Sequence, residues 1–244
     1  MIQVNNCEDL LTHLSTVDIS VPGRATGRTS EHTERYTVCR LLSTLSMTRH
    51  ISYPLLLEKR ERPDFLLCCN GTDIGIEVTE ATSEDYSEHL AYAAKNTPQS
   101  FIQPSHFRYD RPLGRQKKNN LLAQTQLTGY GWAGDEPEKE WSLYIRDAII
   151  SKSRKLMEPN FQKFLKNWLL VYDNTPCSFL NKELLLPHIQ NLASNEAIKN
   201  FDAIFVETGW HEEDHATASS IIICLAQSNI EIFDIKDLWS KNAI

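Results

Sequence analysis

Apolar positions recur along the chain with two spacings, and the alternation between them predicts the secondary structure. Apolar residues three or four positions apart are typical of amphipathic helices, and short continuous apolar runs are typical of buried strands. Helices are expected over residues 7–16, 30–45, 83–95, 135–157 and 182–199. Strands are expected over residues 51–57, 64–69, 72–79, 168–172, 201–206, 220–225 and 230–235.

Residues 220–225 also fit a helical turn.

Two helix starts are marked by capping residues. Ser30 is a favourable N-cap, with acidic residues in the turn that follows. Asp135 caps the start of the helix over 135–157, with Pro137 early in the first turn. Pro159 ends that helix.

The order of these elements is helix, three strands, helices, strand, helix and strand. This order indicates an α/β sandwich around one mixed central sheet flanked by helices. A chain of 244 residues fits a single domain. Within it, residues 1–29 form an N-terminal helix and a loop, and residues 96–135 form an irregular insertion.

Composition narrows the class of protein. The chain has no apolar run of the roughly 18–20 residues that a membrane span requires, and its start lacks the pattern of a secretory signal. A cytoplasmic protein without membrane contact is therefore expected. The six cysteines include no CxxC pair, so free thiols are expected rather than a zinc site or disulfides.

A net charge of −7 does not favour a generally basic nucleic-acid surface, but one segment is locally basic. This segment contains five basic residues and a single acidic residue, Asp110. The basic residues are Arg108, Arg111, Arg115, Lys117 and Lys118. The segment fits a loop that contacts the phosphates of nucleic acid, and it also fits a solvated surface segment.

Two acids flank a strong hairpin signal. Asn70-Gly71 is the preferred pair for a two-residue type I′ turn. With that turn as the loop, counting outward places Asp64 directly opposite Glu77, with Cβ atoms roughly 4.5–5.5 Å apart. Two carboxylates at this range repel unless a divalent cation such as Mg²⁺ lies between them. A longer loop would leave both acids as surface charges.

These residues resemble the core of the PD-(D/E)XK nuclease superfamily, which has the restriction-endonuclease-like fold. The resemblance rests on Pro63-Asp64, twelve intervening residues and then Glu77-Val78-Thr79, and by element order it extends from Ser30 to Val206. It implies that Asp64 and Glu77 bind Mg²⁺, or Mn²⁺ in its place, and that the Val78 carbonyl adds a ligand. It also implies a catalytic lysine at position 79, where this chain has threonine.

Lys152 is a candidate for the missing lysine. It lies within an apolar stripe of the helix over 135–157 and, eleven residues after Trp141, projects in nearly the same direction, within roughly 20°. A lysine in a buried stripe is costly unless its ammonium meets a carboxylate or phosphate. Alternatively, Lys152 extends to solvent at the helix end, and Lys155 is the next candidate.

Glu34 is the second polar residue on an inward face. It lies one turn before Val38 on the apolar face of the helix over 30–45. The resemblance implies that a glutamate on this helix joins the metal site. The helix dipole alone also favours an acid so early in a helix.

A rival motif occurs near the C-terminus. His211, Glu212 and His215 match H-E-x-x-H, which on a helix binds zinc in metalloproteases. The surrounding stretch is polar and acidic, and no third ligand follows in a convincing context. An exposed acidic loop is the preferred interpretation.

The resemblance, with Lys152 in place of the missing lysine, therefore implies a Mg²⁺-dependent endonuclease that cuts phosphodiester bonds in DNA, with Asp64, Glu77 and Lys152 as its catalytic residues. Cleavage of both strands with one site per chain would favour a homodimer, and a partner protein could direct the enzyme to its target. The alternative is an inactive nuclease-like fold that binds nucleic acid or protein, which Thr79 favours.

Overall fold

Eight strands form one mixed sheet, and their order across the sheet equals their order along the chain. The computed structural model describes residues 1–23, 26–97, 102–111, 131–177, 180–210, 219–226 and 229–239. The strands are β1 Ile2–Val4, β2 Leu55–Lys59, β3 Phe65–Cys69, β4 Thr72–Thr82, β5 Lys166–Asn174, β6 Ala203–Trp210, β7 Ser219–Ala226 and β8 Asn229–Asp234.

Five α-helices occur in the described part of the chain. They are α1 Cys7–Ser15, α2 Ser30–Leu45, α3 Glu84–Asn96, α4 Glu136–Leu156 and α5 Lys182–Ala193. Short 3₁₀ helices span Pro104–His106 and Glu196–Asn200. The predicted α/β class with a mixed central sheet flanked by helices is confirmed.

The direction of the strands divides the sheet into three parts. Strands β1 to β4 are antiparallel, β4, β5 and β6 are parallel, and β6 to β8 are antiparallel again. Parallel neighbours need a long connection between them. Helices α3 and α4 lie within the connection from β4 to β5, and α5 lies within the connection from β5 to β6.

The sheet separates two hydrophobic cores. On one face, α1 and α2 bury apolar residues against inward side chains such as Ile76 and Phe205. On the other face, α4 and α5 pack over alternate residues of the same strands, including Leu169 and Ile204. Because successive side chains of a strand point to opposite faces, neighbouring residues of β4 belong to different cores.

Both ends of α4 are fixed by hydrogen bonds. Near its start, the Trp141 indole Nε1 donates to Asp173 Oδ2 at 2.7 Å. Near its end, Asn200 Nδ2 donates to Ser153 Oγ at 2.5 Å. Trp141 is fully buried and Ser153 is buried, so these contacts lie on the side of α4 that faces the sheet.

The turn between β3 and β4 has the predicted geometry. Asn70 and Gly71 have φ angles of 47° and 81°, the positive values that a type I′ turn requires. Cys69 pairs with Thr72, and the ladder continues to the pair of Phe65 and Ile76. The predicted register of this hairpin is therefore confirmed.

Several predicted boundaries differ from the structure. The strand predicted over 51–57 runs from Leu55 to Lys59, after Pro54, which has no N–H for a ladder. Thr29 rather than Ser30 is the N-cap of α2, and its N–H donates to His32 Nδ1. The short strand β1 was not predicted.

One further difference and one resolved alternative concern the second half. The helix predicted over 182–199 ends at Ala193, and Asn195 then caps a separate 3₁₀ helix. The strand predicted over residues 220–225 is confirmed as part of β7, so the alternative of a helical turn is wrong. Among the described helices, none combines the length and the apolar character that crossing a bilayer requires.

We expect Gly71→Ala to destabilise the fold, because a Cβ at φ 81° is strained even in open space. The loss should be about 1 kcal/mol, which corresponds to a decrease of roughly 2–4 °C in Tm. Thermal unfolding followed by circular dichroism measures it. Gly131→Ala is the matched control, because an added Cβ there also meets open space and φ is outside the strained range. Equal Tm values for the two variants would contradict the expectation.

Candidate metal-dependent active site

Asp64 and Glu77 are brought together by the β3–β4 hairpin. Asp64 lies immediately before β3, and one step beyond the pair of Phe65 and Ile76 places it opposite Glu77. Residues opposite each other in a ladder share one face of the sheet. The Val78 N–H donates to Asp64 Oδ2 at 2.7 Å, which holds the Asp64 carboxylate against β4.

Lys152 reaches the same place from α4. Its Nζ donates to Glu77 Oε2 at 2.7 Å, and the Lys152 and Glu77 side chains are only 15% and 10% exposed. The ammonium therefore lies over the sheet and does not extend into solvent. Lys155 is exposed but near enough that its charge lowers the pKa of Glu77.

The protein raises the pKa of both carboxyls. Burial is the main cause for Glu77, and the Lys152 ammonium opposes the rise while Asp64 adds to it. Burial is also the main cause for Asp64, where the Val78 N–H opposes the rise. For each carboxyl, the free-energy cost of desolvating the charged form exceeds the stabilisation that neighbouring cations and hydrogen-bond donors give to it.

Glu34 and Lys59 extend this cluster. Glu34 is on α2, and its Oε2 accepts from Lys59 Nζ at 2.5 Å. Glu34 raises the pKa of Asp64 and Lys59 lowers it, so both charges lie close enough to act on that carboxyl. The structure thus groups three acids, Glu34, Asp64 and Glu77, with two lysines.

Lys59 was not identified from the sequence. It is the last residue of β2 and pairs with Phe65, the residue that follows Asp64 in the chain. The connection between these strands, KRERPD, contains no Asn-Gly or similar turn pair from which a register could be counted. The Lys59 ammonium also lies 4.7 Å from the centre of the Phe65 ring.

Thr79 occupies the position where the family resemblance implies lysine. It is two residues after Glu77 on β4 and so shares its face, and it is partly buried. The short threonine side chain carries no charge to offer a phosphate. Lys152 supplies an ammonium to this face from the covering helix instead.

The donor set fits a hard divalent cation. Within the described residues, the hydrogen bonds of Asp64 and Glu77 involve one oxygen of each, Oδ2 and Oε2. Mg²⁺ and Mn²⁺ bind oxygen ligands, and two carboxylates on one face of the sheet provide them. A dication here would offset the repulsion that burial intensifies.

The basic segment is only partly described. Arg108 is held by α4, where its guanidinium contacts Glu140 and lies 3.0 Å from Glu136 Oε2, and its side chain is 12% exposed. Arg111 has a side chain that is 75% exposed. Arg115, Lys117 and Lys118 lie outside the described residues, as do His211, Glu212 and His215 of the H-E-x-x-H motif.

Comparison of the chain with models of protein families, with curated proteins and with solved structures gave no match. The site is therefore interpreted from its own residues and geometry.

We expect Asp64→Asn to stabilise the protein at neutral pH. A carboxyl with a raised pKa destabilises the fold once pH exceeds that pKa, and asparagine retains an oxygen for the Val78 N–H. The gain should be about 1 kcal/mol, or roughly 2–4 °C in Tm. It should disappear at low pH, where Asp64 is protonated in both the folded and the unfolded states.

Thermal unfolding between pH 4 and pH 8, without added metal, tests this expectation. Asp110→Asn is the control, because it makes the same chemical change at a carboxylate that is 71% exposed. A lower Tm for Asp64→Asn than for wild type across the whole range would show that the Asp64 charge is net stabilising.

Proposed function

We propose that this chain is a Mg²⁺-dependent phosphodiesterase that cuts DNA internally, with Asp64, Glu77 and Lys152 as its catalytic residues. The observation that carries the proposal is the convergence of these three side chains, from the residue before β3, from β4 and from α4, on one face of the sheet. A buried acid and a partly buried acid, both with raised pKa values, would not be favoured by stability alone.

The arrangement of elements supports the same proposal. Helix α2 precedes the antiparallel strands β2, β3 and β4, and β5 then joins β4 in parallel after α4. This is the order that the resemblance to the restriction-endonuclease-like fold implies. The α4 face of β4 carries Glu77, and α4 itself carries Lys152.

Each residue has a distinct role in the proposed reaction. Asp64 and Glu77 would hold the metal, with the Val78 carbonyl and Glu34 as further oxygen donors. Bound Mg²⁺ supplies polarisation of the scissile phosphate and a lower pKa for the attacking water. Lys152 orients that water or neutralises charge that develops on the phosphate in the transition state.

The exposed Arg111 would contact the phosphates of the DNA backbone, and Arg108 would anchor its segment to α4 through Glu136 and Glu140. Contacts to phosphate provide affinity without base specificity. Arg115, Lys117 and Lys118, which lie outside the described residues, are proposed phosphate contacts on the basis of their charge alone. A homodimer would supply the second site that cutting of both strands needs.

We expect Lys152→Ala to reduce nicking of supercoiled plasmid about 100-fold or more, because the ammonium acts on charge that develops in the transition state. Agarose gels measure the rate with Mg²⁺ and with Mn²⁺. The matched control is Lys139→Ala, which removes an exposed lysine from the same helix. The change in Tm on addition of Mg²⁺ should persist in Lys152→Ala.

Three outcomes are informative. Full activity in Lys152→Ala would contradict a catalytic role for that lysine. Absence of nicking by wild type with either metal would favour the inactive nuclease-like module, and gel-shift binding to uncut DNA would then support it. Cleavage of RNA but not DNA would retain the site and change the substrate.

We further expect the activity to fall at acidic pH in a manner that depends on the metal concentration. Burial raises the pKa values of Asp64 and Glu77 above their ordinary values of 3.8 and 4.5, so protons compete for the metal-binding oxygens at higher pH than usual. A higher Mg²⁺ concentration should move the acidic limb of the pH–rate profile to lower pH. If the acidic limb does not respond to the Mg²⁺ concentration, the limb reports the titration of another group.

A further inference from the structure

A second cluster of potential metal ligands lies on the opposite face of the sheet, away from Glu77. It consists of His50, Cys224 and Glu231, and one ligand atom of each lies within 4.8 Å of the others. Cys224 and Glu231 are direct partners in the β7–β8 ladder, so they share a face. His50 approaches from the loop that follows α2.

The imidazole of His50 is held in a defined orientation. Its ring packs edge-on against both Phe205 and Phe233, with centroids 5.9 Å apart in each case. Its Nε2 lies 3.3 Å from Glu231 Oε1. This nitrogen is shielded from solvent and makes no hydrogen bond with satisfactory geometry to the described residues. Glu231 Oε1 is thus its polar neighbour in this cluster, and a metal ion bound to both atoms would satisfy the nitrogen.

We propose that His50, Cys224 and Glu231 form a binding site for a divalent transition metal of the Zn²⁺ type, distinct from the Mg²⁺ site. Thiolate, imidazole and carboxylate together are ligands for zinc and similar ions, whereas Mg²⁺ prefers oxygen alone. Tetrahedral ligands 2.0–2.3 Å from zinc lie about 3.3–3.8 Å from one another. The His50–Glu231 distance already has this value.

The surroundings provide access and a fourth ligand. A cavity of about 460 Å³ is lined by His50 and Glu231 together with Arg49 and Trp168. Water in this cavity can complete the tetrahedral set. On binding, the Cys224 thiol loses its proton to solvent and the sulfur forms the bond to the metal, with no change of oxidation state.

Arg49 is the natural competitor of the metal. Its Nη2 lies 2.8 Å from Glu231 Oε1, while its side chain is 71% exposed and can turn away. A bound metal would link the loop after α2 to the β7–β8 hairpin.

Cobalt titration of the full chain after treatment with a chelator tests the proposal. Co²⁺ bound to a thiolate gives a near-ultraviolet charge-transfer band, and Zn²⁺ should remove that band by displacement. We expect loss of the band in Cys224→Ala and a weakened band in His50→Ala. Cys39→Ala is the matched control, since it removes another buried thiol, and Asp64→Asn should leave the band unchanged.

Arg49→Ala provides a test that does not disturb the core. It removes the exposed competitor, so the apparent dissociation constant for Co²⁺ should decrease several-fold. Absence of a band in wild type, or a band that persists in folded Cys224→Ala, would overturn the proposal. Weaker Co²⁺ binding by Arg49→Ala would overturn it as well.

Discussion

The candidate active site depends on the repulsion between two carboxylates that the β3–β4 hairpin holds on one face of the sheet. The type I′ turn sets the register, and the register places Asp64 opposite Glu77. The Val78 N–H holds the Asp64 carboxylate against β4, and Glu77 is on an interior strand of the sheet, so the backbone keeps the two acids on one face. Their repulsion is therefore offset by a nearby positive charge, and the Lys152 ammonium on α4 provides it.

The position of that lysine is determined far from the site. The buried Trp141 indole is hydrogen bonded to Asp173, and Ser153 at the other end of α4 is hydrogen bonded to Asn200. An α-helix fixed at two points cannot rotate, so Lys152 keeps its direction. Aromatic packing and a buried carboxylate that take no part in the proposed chemistry thus position the ammonium over Glu77.

Local patterns in the sequence predicted most elements and the core of the site. The Asn70-Gly71 pair gave the hairpin register, and helical periodicity placed Lys152 on the inward side of α4. The short strand β1 and the role of Lys59 depend on pairing with distant segments, which a local pattern does not contain. The early end of α5 follows from Asn195, which caps a new 3₁₀ helix where periodicity alone predicted continuation.

The sequential order of the strands has a consequence for assembly during translation. Each strand can join the one synthesised immediately before it, so the sheet can grow from one edge as the nascent chain emerges. Asp64 and Glu77 meet when this growth reaches β4, whereas Lys152 emerges 75 residues after Glu77. A half-synthesised chain on the ribosome therefore holds Glu77 without the Lys152 ammonium, and this compensation arrives only when α4 docks.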